Sequence, residues 1–187
     1  PSRFLWQAYR AVLGRDAVPE ASPFDKPLLV WRLMRLLPDL TGQAAYQPLR
    51  RFLAADADLR KRFQLAERLA DLFDQYQVYR ADWLAAWAAG EDVLIRAGGE
   101  RAPLPDEQRW QACLWRALLA DVAAAGAAAG ATDLAGQGRA AVHEAFLARV
   151  AGWPDEAPRP AGLPRRVLVF GISALPRQSL EVLAALA

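Results

Sequence analysis

The chain has one cysteine and one histidine in 187 residues, and these two scarcities exclude most familiar site chemistries. A lone Cys113 cannot form an internal disulfide or a multi-cysteine zinc site, and a lone His143 lacks the partners for a histidine-based metal centre or a nucleophile relay. No unbroken apolar run approaches the roughly 20 residues that span a bilayer, so no membrane partner is expected. Also absent are a phosphate-binding P-loop, a G-x-G-x-x-G fingerprint, a G-x-S-x-G elbow and an H-E-x-x-H helix, and Gly98-Gly99 alone cradles no phosphate. Charge of one sign is scarce too: 23 basic against 21 acidic residues leave +2, with no basic nucleic-acid arm. Only Lys26 and Lys61 are lysines, and the arginine bias carries little functional weight by itself.

What remains is 54% hydrophobic and 24% charged, the balance of a globular chain with room for one domain or slightly more. Helical spacing dominates. Phe4, Leu5, Ala8, Tyr9, Val12 and Leu13 form a first helix closed by Gly14. Ser22, Pro23 and Asp25 read as the start of a helix from Phe24 to Leu37, stopped by Pro38. A shorter helix fits Tyr46 to Leu53. The strongest period runs from Leu59 to Tyr79, with Phe63, Leu65, Leu69, Leu72, Phe73 and Tyr76 as its apolar stripe. Glu67, Asp71, Asp74, Gln75 and Val78 step down another face.

Helix continues over Ala81 to Ala89, and Glu91 to Arg101 reads as a glycine-containing loop. Pro105 starts another helix with Trp110, Cys113, Leu114, Ala117, Leu118 and Val122 on one side. Ala123 to Gly138 is mostly alanine and glycine, with Leu134 its one bulky apolar side chain, and is expected to be a mobile or poorly packed connection before helix returns from Arg139 to Val150. Trp153 to Pro164 reads as a linker. Val167 to Phe170 then has the pattern of a strand buried on both faces, ended by Gly171, and Pro176 opens a last helix. A helical subdomain that leaves and re-enters an α/β sheet accounts for this order. The ends, without an initiator methionine and with helical spacing still running at Leu186, lead us to expect an excised piece of a longer cytoplasmic chain.

Taken alone, the polar residues support little. Asp71 and Asp74 lie one turn apart and are open to use as an acid and base, although such pairs are ordinarily a solvated helix face. Cys113 on an apolar stripe reads as an inert core thiol, and His143 as a surface or interface residue. The tryptophans at 83, 87, 110 and 115 share spacing with leucines and read as core, whereas Trp6 need not. Arg50-Arg51 and Arg60-Lys61-Arg62 suit solvated helix ends better than phosphate contacts.

The stretch FQLAERLADLFDQYQVYR from Phe63 to Arg80, with Asp82-Trp83-Leu84 behind it, resembles the RecC family, the gamma subunit of exodeoxyribonuclease V (RecBCD). Trp110-Gln111-Ala112 with Leu114-Trp115, and Leu163-Pro164 leading to Gly171-Ile172-Ser173-Ala174-Leu175-Pro176, extend the resemblance in family order over nearly the whole chain. Ala81 and Arg177 depart from it at positions where the family commonly has proline.

The resemblance implies a mainly α fold. Residues 1–14 would end the first part of helicase-like domain 1A, 15–160 would form a helical insert (1B-like) subdomain, and 161–187 would return to the parent α/β, P-loop-like sheet. The parent would be a degenerate superfamily 1 helicase-like domain without ATPase residues, since Gly171-Ile172-Ser173 stands where an active relative has an Asp-Glu pair. It further implies a non-catalytic subunit with no cofactor of its own, partnered by RecB and RecD, which use ATP and magnesium. Such a subunit would receive duplex ends, guide the 3′-terminated single strand and scan it for the Chi sequence in double-strand-break repair. The scanning surface it implies comprises Trp6, Asp71, Leu72, Asp74, Gln75, Arg80 and Arg139. The rival expectation is a helical interaction module that docks partner subunits without reading DNA. An autonomous nuclease would require a metal-binding carboxylate cluster, and none can be assembled from the sequence.

Overall fold

A computed structural model describes residues 2–54, 59–128, 138–154, 158, 160–170 and 175–187. These form eight α-helices and one β-hairpin: α1 (Ser2–Leu13), α2 (Lys26–Leu40), α3 (Gln47–Leu53), α4 (Arg60–Tyr79), α5 (Ala81–Ala88), β1 (Val93–Ile95), β2 (Arg101–Pro103), α6 (Arg109–Ala128), α7 (Arg139–Ala151) and α8 (Arg177–Leu186). They belong to two compact units, one made of Pro1–Ser22 with Gly136–Ala187, the other of Pro23–Ala135.

The Pro23–Ala135 unit is built on α2 and α4. Leu29, Leu33 and Leu37 of α2 meet Leu65, Leu69 and Phe73 of α4, and Leu84, Trp87, Leu114, Trp115 and Leu118 close the core. The Phe73 ring stacks on Trp115 at 5.5 Å. Each buried indole N–H has an acceptor, as burial demands: Trp87 donates to the Val93 carbonyl at 2.8 Å and Trp115 to that of Leu84 at 3.1 Å. Asp121 of α6, nearly buried, is bridged by Arg32 at 2.6 Å and by Arg35.

Helix α2 differs from the sequence expectation at both ends. It begins at Lys26, with Asp25 in extended conformation as the N-cap and Pro27 in the first turn; Leu28 and Leu29 donate to the Asp25 carbonyl at 2.9 and 3.0 Å. The cap-and-proline rule thus operates on the next Asp and Pro along, not on Ser22 and Pro23. Pro38 does not stop the helix, which continues to Leu40. A proline this near the end forfeits one ladder bond, and buried Leu37 holds the turn while Thr41 donates to the Leu37 and Pro38 carbonyls.

Residues expected to loop between α5 and α6 instead pair as an antiparallel hairpin, Val93 opposite Pro103 and Ile95 opposite Arg101. Gly99, at φ +82°, permits the reversal, and Arg96 donates its backbone N–H to Glu100 at 2.8 Å. Three-residue strands are marginal alone, and this pair is anchored because Trp83 and Trp87 donate to the Ile95 and Val93 carbonyls. Helix α6 runs on through Ala123 to Ala128, so the first part of the alanine-rich stretch is helix, with Gly126 buried and Ala123, Ala124, Ala127 and Ala128 exposed; residues 129–137 lie outside the described residues.

In the other unit, Ala8, Tyr9 and Val12 of α1 pack with Val142 and Phe146 of α7 and Val182 of α8. Gly14, at φ +96°, ends α1 and donates to the Arg10 carbonyl at 3.1 Å, and Pro176 caps α8 as expected. His143 is buried, not superficial. Its Nδ1 lies 2.9 Å from the Tyr9 hydroxyl and its Nε2 2.9 Å from Glu181, which is also held by Arg177 at 2.7 Å. A carboxylate only accepts, so Nε2 donates to Glu181, and the Tyr9 hydroxyl completes the link at Nδ1.

Val167 to Phe170 is in no strand, and Leu168 and Phe170 are 92% and 95% exposed, against the expectation of a strand buried on both faces. A strand needs a neighbour for its N–H and C=O groups, and the one sheet among the described residues is the hairpin. The Gly171-Ile172-Ser173-Ala174 stretch and residues 155–157 of the expected linker fall outside the described residues.

Candidate nucleic-acid interface

Helix α4 sorts its residues cleanly. Leu65, Ala66, Leu69, Ala70, Phe73 and Gln77 are buried, whereas Glu67, Asp71 and Gln75 are exposed and Asp74, Leu72 and Val78 intermediate. The core face differs from the sequence stripe in three ways, the first being that Leu72 is only half-buried and off the core. Phe63 lies at the surface, against exposed Trp31 at 6.3 Å, and Gln77 is buried, its amide nitrogen donating to the Phe24 carbonyl at 3.1 Å. Helix periodicity identified the face; it did not reveal that a buried glutamine donates to a main-chain carbonyl there.

The polar face presents acceptors in steps of one turn. Asp71 binds Lys26, the first residue of α2, Oδ1 to Nζ at 2.5 Å. The ammonium is held above its ordinary lysine value mainly by the hydrogen bond to Asp71; slight burial opposes this, and the charges of Asp71, Glu67 and Asp74 add to it. With 26 facing 71 and 31 facing 63, α2 and α4 run antiparallel. A cation at the positive end of a helix is unfavourable by itself, and the carboxylates of α4 account for its place. Sequence reading missed Lys26 because its partners lie some forty-five residues away.

Arg80 ends α4 and begins α5. Its guanidinium forms a fork to Asp82 with both bonds at 3.1 Å, lies 3.6 Å over the Trp83 ring and donates to the Ile95 carbonyl. It therefore ties the α4–α5 junction to the hairpin. Trp6 and Arg139 are in the other unit, both beside Tyr9: the Trp6 ring meets Tyr9 edge-on at 6.0 Å and donates Nε1–H to the Pro19 carbonyl at 2.9 Å, while the Arg139 charge acts on the Tyr9 hydroxyl. The residues 71, 72, 74, 75 and 80 thus share one element and its end, and Trp6 and Arg139 share another neighbourhood. Cys113 is half-buried and packs against the core, with Arg116 donating to its Sγ at 3.5 Å. Among the described residues, no group of three or more His, Cys, Asp or Glu side chains is placed to hold a metal ion, and no helix is long and apolar enough to cross a membrane.

Carboxylate and amide acceptors are thus spaced along one helix face with a cation beside them, an arrangement able to accept hydrogen bonds from donor groups. The chain belongs to the RecC family: the family model "RecC, N-terminal domain" matches residues 1–187. It is similar to the RecBCD enzyme subunit RecC of Escherichia coli, 40% identical over 189 residues, and of Haemophilus influenzae, 37% identical over 199 residues. Both alignments cover all of this chain but only 15% and 16% of those proteins. The RecC subunit of Mycobacterium tuberculosis is 29% identical over 88% of the chain and 13% of its own length.

Proposed function

We propose that the chain is part of a non-catalytic DNA-recognition and scaffolding subunit of a bacterial, cytoplasmic RecBCD helicase-nuclease. It acts with RecB and RecD in double-strand-break repair, guides the 3′-terminated strand from duplex ends and recognises Chi. ATP and magnesium serve the partner subunits. The reading is supported by membership of the RecC family and carried by one observation: Asp71, Asp74 and Gln75 form an acceptor face on α4 directed away from the core. Carboxylates are repelled by phosphates and add nothing to general DNA affinity. The Watson–Crick edge of an unpaired guanine, however, offers adjacent N1–H and N2–H donors that one carboxylate accepts together. Chi sequences are guanine-rich, so acidic residues supply specificity where arginines supply attraction. On this reading residues 15–160 belong to a 1B-like helical insert, and 1–14 and 161–187 belong to the helicase-like domain that carries it.

In a reconstituted three-subunit complex, Asp71→Ala combined with Asp74→Ala is expected to leave unwinding intact and to remove Chi-dependent cleavage on the same DNA. Normal Chi response would refute the assignment. It would favour the second reading, an interaction module, which rests on Leu28 and Trp31, 43% and 67% exposed on the outer face of α2.

A further inference from the structure

Resting on the reading of Asp71 as a guanine acceptor, we propose that Lys26 is a positioning residue that presents the Asp71 carboxylate to the base. A carboxylate has two oxygens and about four lone-pair sites. The Lys26 ammonium takes Oδ1 as a single point contact at 2.5 Å, and the Asp71 side chain stays 51% exposed. That contact fixes the side-chain rotamer while leaving acceptor positions on both oxygens for a two-donor edge. An arginine would instead engage both oxygens in its fork and block that edge.

The residue choice is informative because only two of the chain's 23 basic residues are lysines. Elsewhere in the unit carboxylates are held by arginine, as in Arg80 on Asp82, Arg116 on Asp92 and Arg32 with Arg35 on Asp121. Here a lysine stands among Glu67, Asp71 and Asp74, where its charge also offsets the repulsion between this acidic face and an approaching phosphate. Stability alone gives no reason for the pair, since both groups are close to half-exposed and such pairs contribute little.

The test compares Lys26→Arg, Lys26→Met, Asp71→Ala and the Asp71→Ala/Lys26→Met double variant in the complete three-subunit complex, with unwinding rate and Chi-dependent cleavage read on the same DNA. Both Lys26 variants are expected to lower Chi-dependent cleavage at least about fivefold, the lower end of what a bidentate base contact gives, with unwinding unchanged. Lys26→Met is expected to add nothing once Asp71 is gone. Loss in Lys26→Arg is the decisive sign, because charge and exposure are kept and only the fork geometry differs. A normal Chi response in either Lys26 variant, beside a defective Asp71→Ala, overturns the role of Lys26 and leaves the Asp71 reading standing. A further loss in the double variant also overturns it, by making Lys26 an independent contact. A normal response in Asp71→Ala overturns the reading itself and this inference with it.

Discussion

Phe73→Ala is expected to destabilise the Pro23–Ala135 unit by about 3–5 kcal/mol, the range for emptying an aromatic site in a packed core. Phe73 is fully buried, stacked on Trp115 at 5.5 Å and touched edge-on by Tyr76 at 6.1 Å. It joins α4 to α6, so the cavity would have rigid walls on both sides and little freedom to collapse. Phe63→Ala is the matched control. Phe63 is the same residue type on the same helix, but 38% exposed and touching the exposed Trp31 ring, and its removal should cost less than about 1 kcal/mol. Urea unfolding followed by tryptophan fluorescence separates the two. Equal midpoints would mean that α4 is not oriented as described.

His143→Ala should cost the other unit roughly 2–3 kcal/mol, because it leaves the buried Tyr9 hydroxyl and one face of Glu181 without their partner. Tyr9→Phe removes only one of the two bonds and should cost about 1 kcal/mol. A double-mutant cycle between them isolates the coupling, and additive losses would contradict the three-helix link. Acid sharpens the test. Burial pushes the Glu181 carboxyl up, but its hydrogen bonds to Arg177 and His143 and their charges outweigh this and hold it below the ordinary 4.5. A carboxyl that ionises more readily when folded contributes stability above its unfolded value, and that contribution is lost as pH falls through its folded value. The wild-type unit should therefore weaken below about pH 4.5, and His143→Ala should weaken less steeply there. At the alkaline end the sign reverses. Burial pushes the Tyr9 hydroxyl up and raises that of Tyr46 to about 12, so stability present below pH 10 is lost as pH rises beyond it.

Local chemistry made the helices legible. The period of α4, the glycine after α1 and the proline before α8 are rules that operate within a few residues, and each held. Apart from the two ends of α2, where neighbouring cap and proline signals competed, what failed depended on distant partners. The hairpin was read as a loop because its anchors are the indoles of α5. The sequence offers His143 only as a surface or interface residue because Tyr9 lies 134 positions away and Glu181 another 38 beyond. Val167 to Phe170 was read as a buried strand from composition alone, which records a preference for a sheet but not the presence of neighbouring strands. The acidic face was visible in sequence as a spacing, but its meaning came from family resemblance, and Lys26 came only from the packing of α2 on α4.

The central claim is that carboxylates on α4 accept the Watson–Crick edge of guanine, and base analogues test it most directly. Inosine keeps N1–H but lacks the N2 amino group, whereas 7-deazaguanine keeps both donors and loses only the N7 acceptor. Chi-dependent cleavage by the complete complex would be measured on DNA carrying each analogue at the Chi guanines. If α4 accepts the Watson–Crick edge, inosine causes a strong loss and 7-deazaguanine little change, and the Asp71→Ala/Asp74→Ala complex does not discriminate between guanine and inosine. Full response to inosine with loss on 7-deazaguanine would contradict it, since guanine would then be read through its Hoogsteen edge, for which a carboxylate is the wrong partner.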